Sequence, residues 1–345
     1  MITSIILAIL LVLCGFIMVG EFISQALNFN RGFHGMSSRE VGPRLEECLL
    51  KDNDAHVKIA VVTVDGIISG QDVDQDGNSM VEVIRAQFDR AKDDNRVKAV
   101  ILRVDSPGGE VMASDEINRV IAKFQTDSGK PVICSMGSLA ASGGYYISVP
   151  CRWIEANELT ITGSIGVILH AWNYRDLMNK VGVEPVTYKS GKFKDMLSGD
   201  RSTNEIPPEE HAMVQGLIDE TYQKFKSVVA EGRAAAHKLN GTNGCALAPD
   251  WTQYADGRVL SGKQALRYGF VDELGTFDQA VDRAEQIVHI PNANLVEYRE
   301  RYDISEFLHL FGQNSSAHDI KLDLGINVPK LQAGQLYFLS PTLVN

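Results

Sequence analysis

The chain has 345 residues, of which 44% are hydrophobic, enough to bury the core of one large domain or two modest ones. Its formal net charge of −11 and its pI near 5.2 argue against a nucleic-acid partner, because no basic surface would displace phosphate counterions. The five cysteines have neither CxxC spacing nor histidine partners at metal-ligand spacing. We therefore expect no metal site, no cofactor and no nucleic acid.

The N-terminus has the composition of a membrane segment. Residues 5–19 are wholly apolar, and such a run approaches the ~20 residues that a spanning helix needs. A cleavable signal peptide would have a basic start and a small-residue cleavage site, and neither is present. We predict an uncleaved, single-pass anchor over residues 1–23 and a juxtamembrane linker over 24–55. The three arginines after the anchor favour a cytoplasmic body.

After residue 56, β-rich runs alternate with amphipathic helical segments. We predict strands over 57–64, 97–104, 130–136, 153–156, 165–169, 186–189 and 336–339, and helices over 79–92 and 111–124. Strand, helix, strand, helix is the pattern of right-handed β-α-β crossovers, so the fold class is α/β. From Pro207 onward the chain is mainly helical, with helices predicted up to about residue 236, over 261–268 and over 276–288.

One stretch has the features of a nucleophile site: Ser138-Leu139-Ala140-Ala141-Ser142-Gly143-Gly144-Tyr145-Tyr146. Ser142 would lie where a buried strand gives way to a helix, whose first N–H groups can face an oxyanion. Small neighbours would let a substrate backbone approach closely. The alternative is an ordinary helix start with small residues for packing.

A nucleophilic serine needs a base. His170 is the histidine best placed by the sequence, 28 residues after Ser142. The other candidates are Lys189, Lys192 and Lys194, since a lysine works as a base when burial or neighbouring positive charge leaves its amine neutral. A solvated basic loop is the alternative interpretation of the three lysines.

Several blocks together resemble a known family, the signal peptide peptidase A group of membrane-anchored serine-lysine peptidases in its short, single-domain bacterial form. The blocks lie in the family's order over residues 57–290: Asp105-Ser106-Pro107-Gly108-Gly109, Ala140 to Tyr146, Thr162-Gly163-Ser164-Ile165-Gly166-Val167, Ser190 to Asp195, Asp256-Gly257-Arg258-Val259 and Val271-Asp272-Glu273-Leu274-Gly275.

The resemblance implies roles for five residues. Ser142 would be the nucleophile and Lys194 the general base, with Gly109 and Gly143 as oxyanion donors and Ser164 orienting the base. A lysine base must be neutral, so activity should rise with pH and persist in alkaline buffer. A rate already flat from about pH 6 upward would indicate His170.

The resemblance also implies an architecture and a setting. The fold would be a ClpP/crotonase-like superhelix of β-β-α units over residues 56–290, with 207–290 as a helical assembly region and 291–345 as a C-terminal extension. The family works as a ring, often of eight subunits. Its substrates would be remnant signal peptides and other small unfolded peptides. The protein would sit in the bacterial inner membrane with an extracytoplasmic catalytic domain, against the arginine count.

Three alternatives remain open. A Clp-like peptidase would use a Ser-His pair with His170. A crotonase-like acyl-CoA enzyme shares the fold but needs neither the anchor nor Ser142. A membrane scaffold could keep the fold without the chemistry.

Overall fold

The computed structural model describes residues 42–71, 77–300 and 336–339. The chain divides into Met1–Gly42 and Pro43–Asn345, and the described elements belong to the second unit. The predicted anchor at 1–23 lies outside the described residues. Within the described residues, no helix has the length and apolar character needed to cross a bilayer.

The strands are short and lie at both ends of the described chain as well as in its middle. They are β1 (Leu45–Lys51), β2 (Lys58–Asp65), β3 (Val97–Ser106), β4 (Gly108–Glu110), β5 (Val132–Ala141), β6 (Trp153–Ala156), β7 (Ile161–Gly163), β8 (Val259–Ser261), β9 (Glu273–Leu274), β10 (Asn294–Glu300) and β11 (Tyr337–Leu339).

The helices mostly follow strands, as β-α-β crossovers require. They are α1 (Met80–Asp93), α2 (Val111–Ser128), α3 (Gly143–Ser148), α4 (Arg175–Val181), α5 (Pro208–Asn240), α6 (Gly262–Arg267) and α7 (Phe277–Val288). Ser79, Ser261 and Thr276 cap α1, α6 and α7 with capping boxes, which satisfy the first free N–H groups of each helix.

The main sheet has the strand order β1-β10-β2-β3-β5-β6-β9. Its pairs are parallel from β10 to β9, and β1 joins antiparallel to β10. β7 pairs in parallel with the end of β5 and antiparallel with β8. β11 pairs antiparallel with β4 in a separate small sheet. The fold is therefore mixed α/β, as the sequence predicts.

Both faces of the sheet are covered, so its strands are apolar on both sides. Residues of α1, α2, α3 and α5 form the core on one face, which includes Ala60 and Val62 of β2. Residues of α7 cover the other face, where Ile59 and Val61 point. Buried parallel strands explain the continuous apolar runs that made these elements predictable.

Two predicted strands are wrong. Residues 165–169 contain only an isolated bridge at Ile168, and the strand in this region is β7, just before them. Residues 186–189 form no strand, because they lie in an exposed segment with no neighbouring strand to pair with. The apolar side chains that suggested strands there, such as Val186 and Tyr188, face solvent in the described chain.

The sheet extends beyond the predicted peptidase region of residues 56–290. β1 falls in the segment predicted as a linker, while β10 and β11 fall in the predicted C-terminal extension. β10 lies between β1 and β2 in the sheet, so these flanking segments complete the same core.

A fully buried ion pair joins α5 to the sheet. Arg233 Nη1 and Nη2 contact the two carboxylate oxygens of Asp272 at 2.8 and 2.7 Å, and both side chains are 0% exposed. Arg233 also donates to the carbonyls of Gly269 and Cys245, and Asp272 accepts from the N–H groups of Ile154 and Cys245. The N–H groups of the guanidinium and the oxygens of the carboxylate are therefore almost all hydrogen-bonded.

Breaking this pair should strongly destabilise the fold. In Asp272→Asn the Arg233 charge stays buried without a carboxylate, so the free energy of unfolding should fall by about 3–5 kcal/mol. Urea unfolding measures the change. The control is Asp256→Asn, which removes an equally close but half-exposed pair with Arg258 and should change stability by about 0–1 kcal/mol. Equal, small effects of the two substitutions would contradict the expectation.

Glu155 of β6 is a buried carboxyl. It is 1% exposed, and neither carboxylate oxygen has a hydrogen-bond partner within the described residues. Burial and the nearby Glu273 raise its pKa to about 7, although Arg283 opposes the shift. Its carboxylate lies against Gly275, where a Cβ would be 1.8 Å from one oxygen.

This carboxyl should make stability depend on pH. Between its ordinary pKa of 4.5 and about 7 the folded protein holds a proton that the unfolded chain has released, so stability should fall as pH rises through this window. Glu155→Gln should therefore gain roughly 1–2 kcal/mol over the native protein at pH 8 and little at pH 4.5. Thermal unfolding across pH measures it, with the exposed Glu158→Gln as control. A gain that is the same at both pH values would contradict the assignment.

Candidate active site

Ser142 lies at the turn between β5 and α3, as the sequence predicts. Its backbone has φ 53° and ψ −115°, a conformation that L residues rarely adopt. Its N–H donates to Gly163 O at 2.8 Å, and its carbonyl accepts from Tyr146 N at 2.8 Å. The turn is thus held from both sides.

The hydroxyl of Ser142 is buried and has no hydrogen-bond partner within the described residues. A buried polar group without a partner costs free energy, and such groups mark sites where another molecule completes the bonding. The strained backbone and the unpaired hydroxyl at one residue together distinguish Ser142 from an ordinary helix start.

Gly109 and Gly143 are brought together beside Ser142. A Cβ on Gly143 would lie 3.1 Å from Gly109 N and 3.0 Å from Gly108 Cα. A Cβ on Gly109 would lie 1.9 Å from Ile68 O. Backbone packs against backbone here, so the two predicted oxyanion donors are neighbours and neither position has room for a side chain.

Asp105 supports this arrangement from the end of β3, a role that the motif alone does not reveal. Its carboxylate accepts from Leu139 N at 3.0 Å and Ser138 N at 3.3 Å. The pairing of β3 with β5 is irregular at this point, since Ser106 pairs with Ala140 after a register shift. Asp105 therefore accepts hydrogen bonds from the backbone N–H groups that the irregular pairing leaves free. In the sequence, the position of Asp105 at the carboxyl end of a buried strand is the feature that could have predicted this role.

Ser164 is buried and follows Gly163, whose carbonyl holds Ser142 N. Its φ is 51°, and its N–H donates to Arg258 O at 2.8 Å. No hydrogen bond joins Ser164 to Lys194 within the described residues. Its predicted role in orienting the base therefore stays a prediction.

The structure does not join Lys194 to Ser142 by a hydrogen bond. Lys194 is exposed in a turn after Gly191, whose carbonyl accepts from Lys194 N. Lys189 contacts Asp195 at 2.7 Å, and Lys192 lies 3.6 Å from Glu209. Of the three lysines, Lys194 alone has no ion pair or side-chain hydrogen bond in the described part of the chain. His170 is also exposed and makes no bond to Ser142.

A charged network ties the lysine turn to the start of α5. Arg201 contacts Glu210 at 2.8 Å and Asp195 at 3.5 Å, and Glu210 accepts from Leu197 N. The Lys189 ammonium holds the pKa of the Asp195 carboxyl below its usual value. The turn that carries Lys194 is therefore positioned by its neighbours, while Lys194 itself stays available.

Comparison with known proteins agrees with these features. Residues 124–290 match the model of peptidase family S49. A candidate signal peptide peptidase SppA of Enterococcus faecium is 34% identical over 278 residues, which cover 78% of this chain and 73% of that protein. The chain belongs to peptidase family S49. It is a serine peptidase by class, and it is a relative of signal peptide peptidase A.

Other relatives match over a smaller share of their length. A candidate protease of Synechocystis is 44% identical over 190 residues, 54% of this chain and 62% of that protein. Protease 4 of Haemophilus influenzae is 37% identical over 235 residues, which cover 67% of this chain but 35% of its own length.

Two solved structures are similar at low identity. A mutant of the 1510-N membrane-bound stomatin-specific protease in complex with a substrate peptide covers 75% of this S49 chain and 100% of its own, at 17% identity and a TM-score of 0.39. A mutant of ClpP1 from Listeria monocytogenes covers 64% of this chain and 93% of its own, at 16% identity and a TM-score of 0.38.

The close packing of the glycines predicts the effect of adding a methyl group. In Gly143→Ala the new Cβ would meet Ser114 Oγ at 2.7 Å and push the Gly109 backbone away, so the rate of Ser142 labelling by a fluorophosphonate should fall by about 10²-fold. The control is Gly216→Ala on α5, where a Cβ meets nothing within 4 Å and labelling should be unchanged. Labelling of Gly143→Ala at the native rate would exclude this oxyanion geometry.

Proposed function

We propose that the protein is a serine endopeptidase that cleaves small unfolded peptides through an acyl-enzyme, with Ser142 as nucleophile and Lys194 as general base. The observation that carries the proposal is the unpaired, buried hydroxyl of Ser142 on a strained turn beside the N–H groups of Gly109 and Gly143. A serine held in this way is positioned for attack on a carbonyl carbon.

The chemistry is acyl transfer in two steps. Neutral Lys194 takes the proton of Ser142 Oγ as the oxygen attacks the scissile carbonyl, and the oxyanion faces the N–H groups of Gly109 and Gly143. The lysine returns its proton to the leaving amine, and a water molecule, deprotonated by the same lysine, then releases the acyl group. Ser164 would orient the neutral amine.

The assignment of Lys194 comes from the resemblance, and the freedom of this lysine from carboxylates supports it. Lys189 and Lys192 are each engaged by an acidic side chain, whereas Lys194 has no such contact in the described residues, so its side chain is free to reorient. For Lys194 to act, a change in the turn that carries it must bring its neutral amine to Ser142. The contact of Arg201 with Glu210 ties this turn to the start of α5.

Remnant signal peptides are the proposed substrates, since the Enterococcus relative is named as a signal peptide peptidase. We propose a fold of the ClpP/crotonase type, an inner-membrane protein anchored by residues 1–23, and an extracytoplasmic catalytic domain. Protease accessibility of the body in spheroplasts tests the topology.

A ring of subunits, eight by resemblance, is the proposed assembly. Helix α4 has no buried residue, and the segment around it exposes large apolar side chains, among them Trp172 at 81% and Tyr188 at 95%. Exposed apolar side chains in such number are typical of an interaction surface. Assembly would cover this segment, which also leads into the Lys194 turn.

The base can be identified by parallel substitutions. Lys194→Ala should lower peptide cleavage and fluorophosphonate labelling of Ser142 by about 10²–10⁴-fold, because the hydroxyl keeps its proton. Lys192→Ala is the matched control and should stay within a few-fold of the native rate. Mass spectrometry of the adduct on Ser142 gives the readout.

The same experiment includes His170→Ala. A large loss in His170→Ala with normal labelling of Lys194→Ala would replace the Ser-Lys pair with the Clp-like alternative. No labelling and no cleavage by the native protein would support the non-catalytic scaffold.

A further inference from the structure

Ile68 pairs with one edge of β4, the strand that contains Gly109. Ile68 N donates to Gly108 O at 2.9 Å, and Glu110 N donates to Ile68 O at 2.8 Å, which makes an isolated parallel bridge between Ile68 and Gly109. The backbone groups of successive residues in a strand point to opposite edges, so the N–H of Gly109 points away from Ile68. Ile68 therefore sets the direction of this predicted oxyanion donor.

Ile68 is itself held in two ways. Its side chain is fully buried in the main core. The two residues that follow it bind the carboxylate of Glu110, where Oε1 accepts from Ser69 Oγ at 3.2 Å and Oε2 accepts from Gly70 N at 3.0 Å. A Cβ on Gly70 would lie 3.3 Å from Oε2, so the two segments are in close contact. The Glu110 side chain thus fastens the chain just after Ile68 to the residue just after Gly109.

Helix capping does not explain a glutamate at this position. Glu110 is the N-cap residue of α2, where a shorter Ser, Thr, Asp or Asn side chain would accept from the first N–H groups of the helix. Its side chain makes no such capping bond. The carboxylate turns instead toward Ser69 and Gly70, and its hydrogen bonds there give the residue a different role.

The backbone of Glu110 is also linked to the second predicted donor. Ser114 Oγ donates to Glu110 O at 2.8 Å, and Ser114 is fully buried. A Cβ on Gly143 would lie 2.7 Å from the same Oγ and 3.1 Å from Gly109 N. Glu110 therefore binds groups that pack against both donors, one through its carboxylate and the other through its carbonyl.

We propose that Glu110 is a positioning residue for the predicted oxyanion hole. Its carboxylate holds residues 69–70 in place, which keeps Ile68 against β4 and the Gly109 N–H directed at the reacting carbonyl oxygen. This inference rests on the proposed function, and it requires no contact between Glu110 and substrate. An oxyanion donor acts mainly on the transition state, so loss of the carboxylate lowers kcat more than it raises KM.

Peptide cleavage by Glu110→Ala tests the inference. We expect kcat to fall by about tenfold or more while KM stays within about threefold, and the rate of Ser142 labelling by a fluorophosphonate to fall by a similar factor. The control is Glu116→Ala on the same helix, which removes a half-exposed carboxylate 3.5 Å from Arg85 and should leave both rates unchanged.

A double-mutant cycle with Ser69→Ala shows whether the carboxylate acts through the segment that it binds. Ser69→Ala alone should lower kcat several-fold, because it removes one of the two hydrogen bonds to Glu110. In the Glu110→Ala protein it should lower kcat by less than about twofold, because that bond is already lost. Equal losses in both backgrounds would overturn the proposal.

Two further outcomes separate this inference from partial unfolding and from the proposed function. Rates are expressed per Ser142 that can be labelled to completion, and a kcat deficit of Glu110→Ala that disappears on this scale would overturn the positioning role. Native rates in Glu110→Ala would also overturn it, while leaving the proposed function intact. Absence of both labelling and cleavage in the native protein would remove the proposed function itself.

Discussion

The buried pair of Arg233 and Asp272 is the contact on which the geometry of the site depends. Two charges without solvent need fixed partners, and they find them in the carbonyl and N–H groups of three separate segments. The pair therefore sets where α5 lies on the sheet. α5 in turn carries Phe225, which contacts Tyr146 after the nucleophile, and Glu210, which holds the lysine turn through Arg201. One interaction thus places two parts of the site relative to Ser142.

Much of the fold could be predicted from local sequence patterns. Strands β2, β3 and β5 are buried on both faces, so their sequences are nearly continuous apolar runs. One failure, the strand predicted at residues 186–189, occurs where apolar residues do not enter the core. Val186 and Tyr188 suggested a strand, yet they lie in a segment that is exposed in the described chain. β7 was missed because a three-residue strand with Thr162 and Gly163 has no periodic signal, although its pairing with β5 supports the Ser142 turn.

The site could be predicted only in part. Ser142, Gly109 and Gly143 lie in short blocks of small residues, and the structure brings them together as the resemblance implies. The proposed partnership of Ser142 with Lys194 spans 52 residues, and no contact between the two side chains is present in the described chain. The contact of Phe338 with Phe225 joins parts of the sequence more than 100 residues apart, and no local pattern encodes it.

The positive φ of Ser142 lowers the stability of the fold at the residue that the proposed activity requires. A φ of 53° in a residue with a Cβ stores strain of about 1–3 kcal/mol, which glycine at the same position would relieve. The proposed nucleophile is therefore a residue that selection for a robust fold alone would discard. Lineages of this family that lose the need for catalysis would be expected to drift first at this serine, toward glycine, with the surrounding glycine turns left intact.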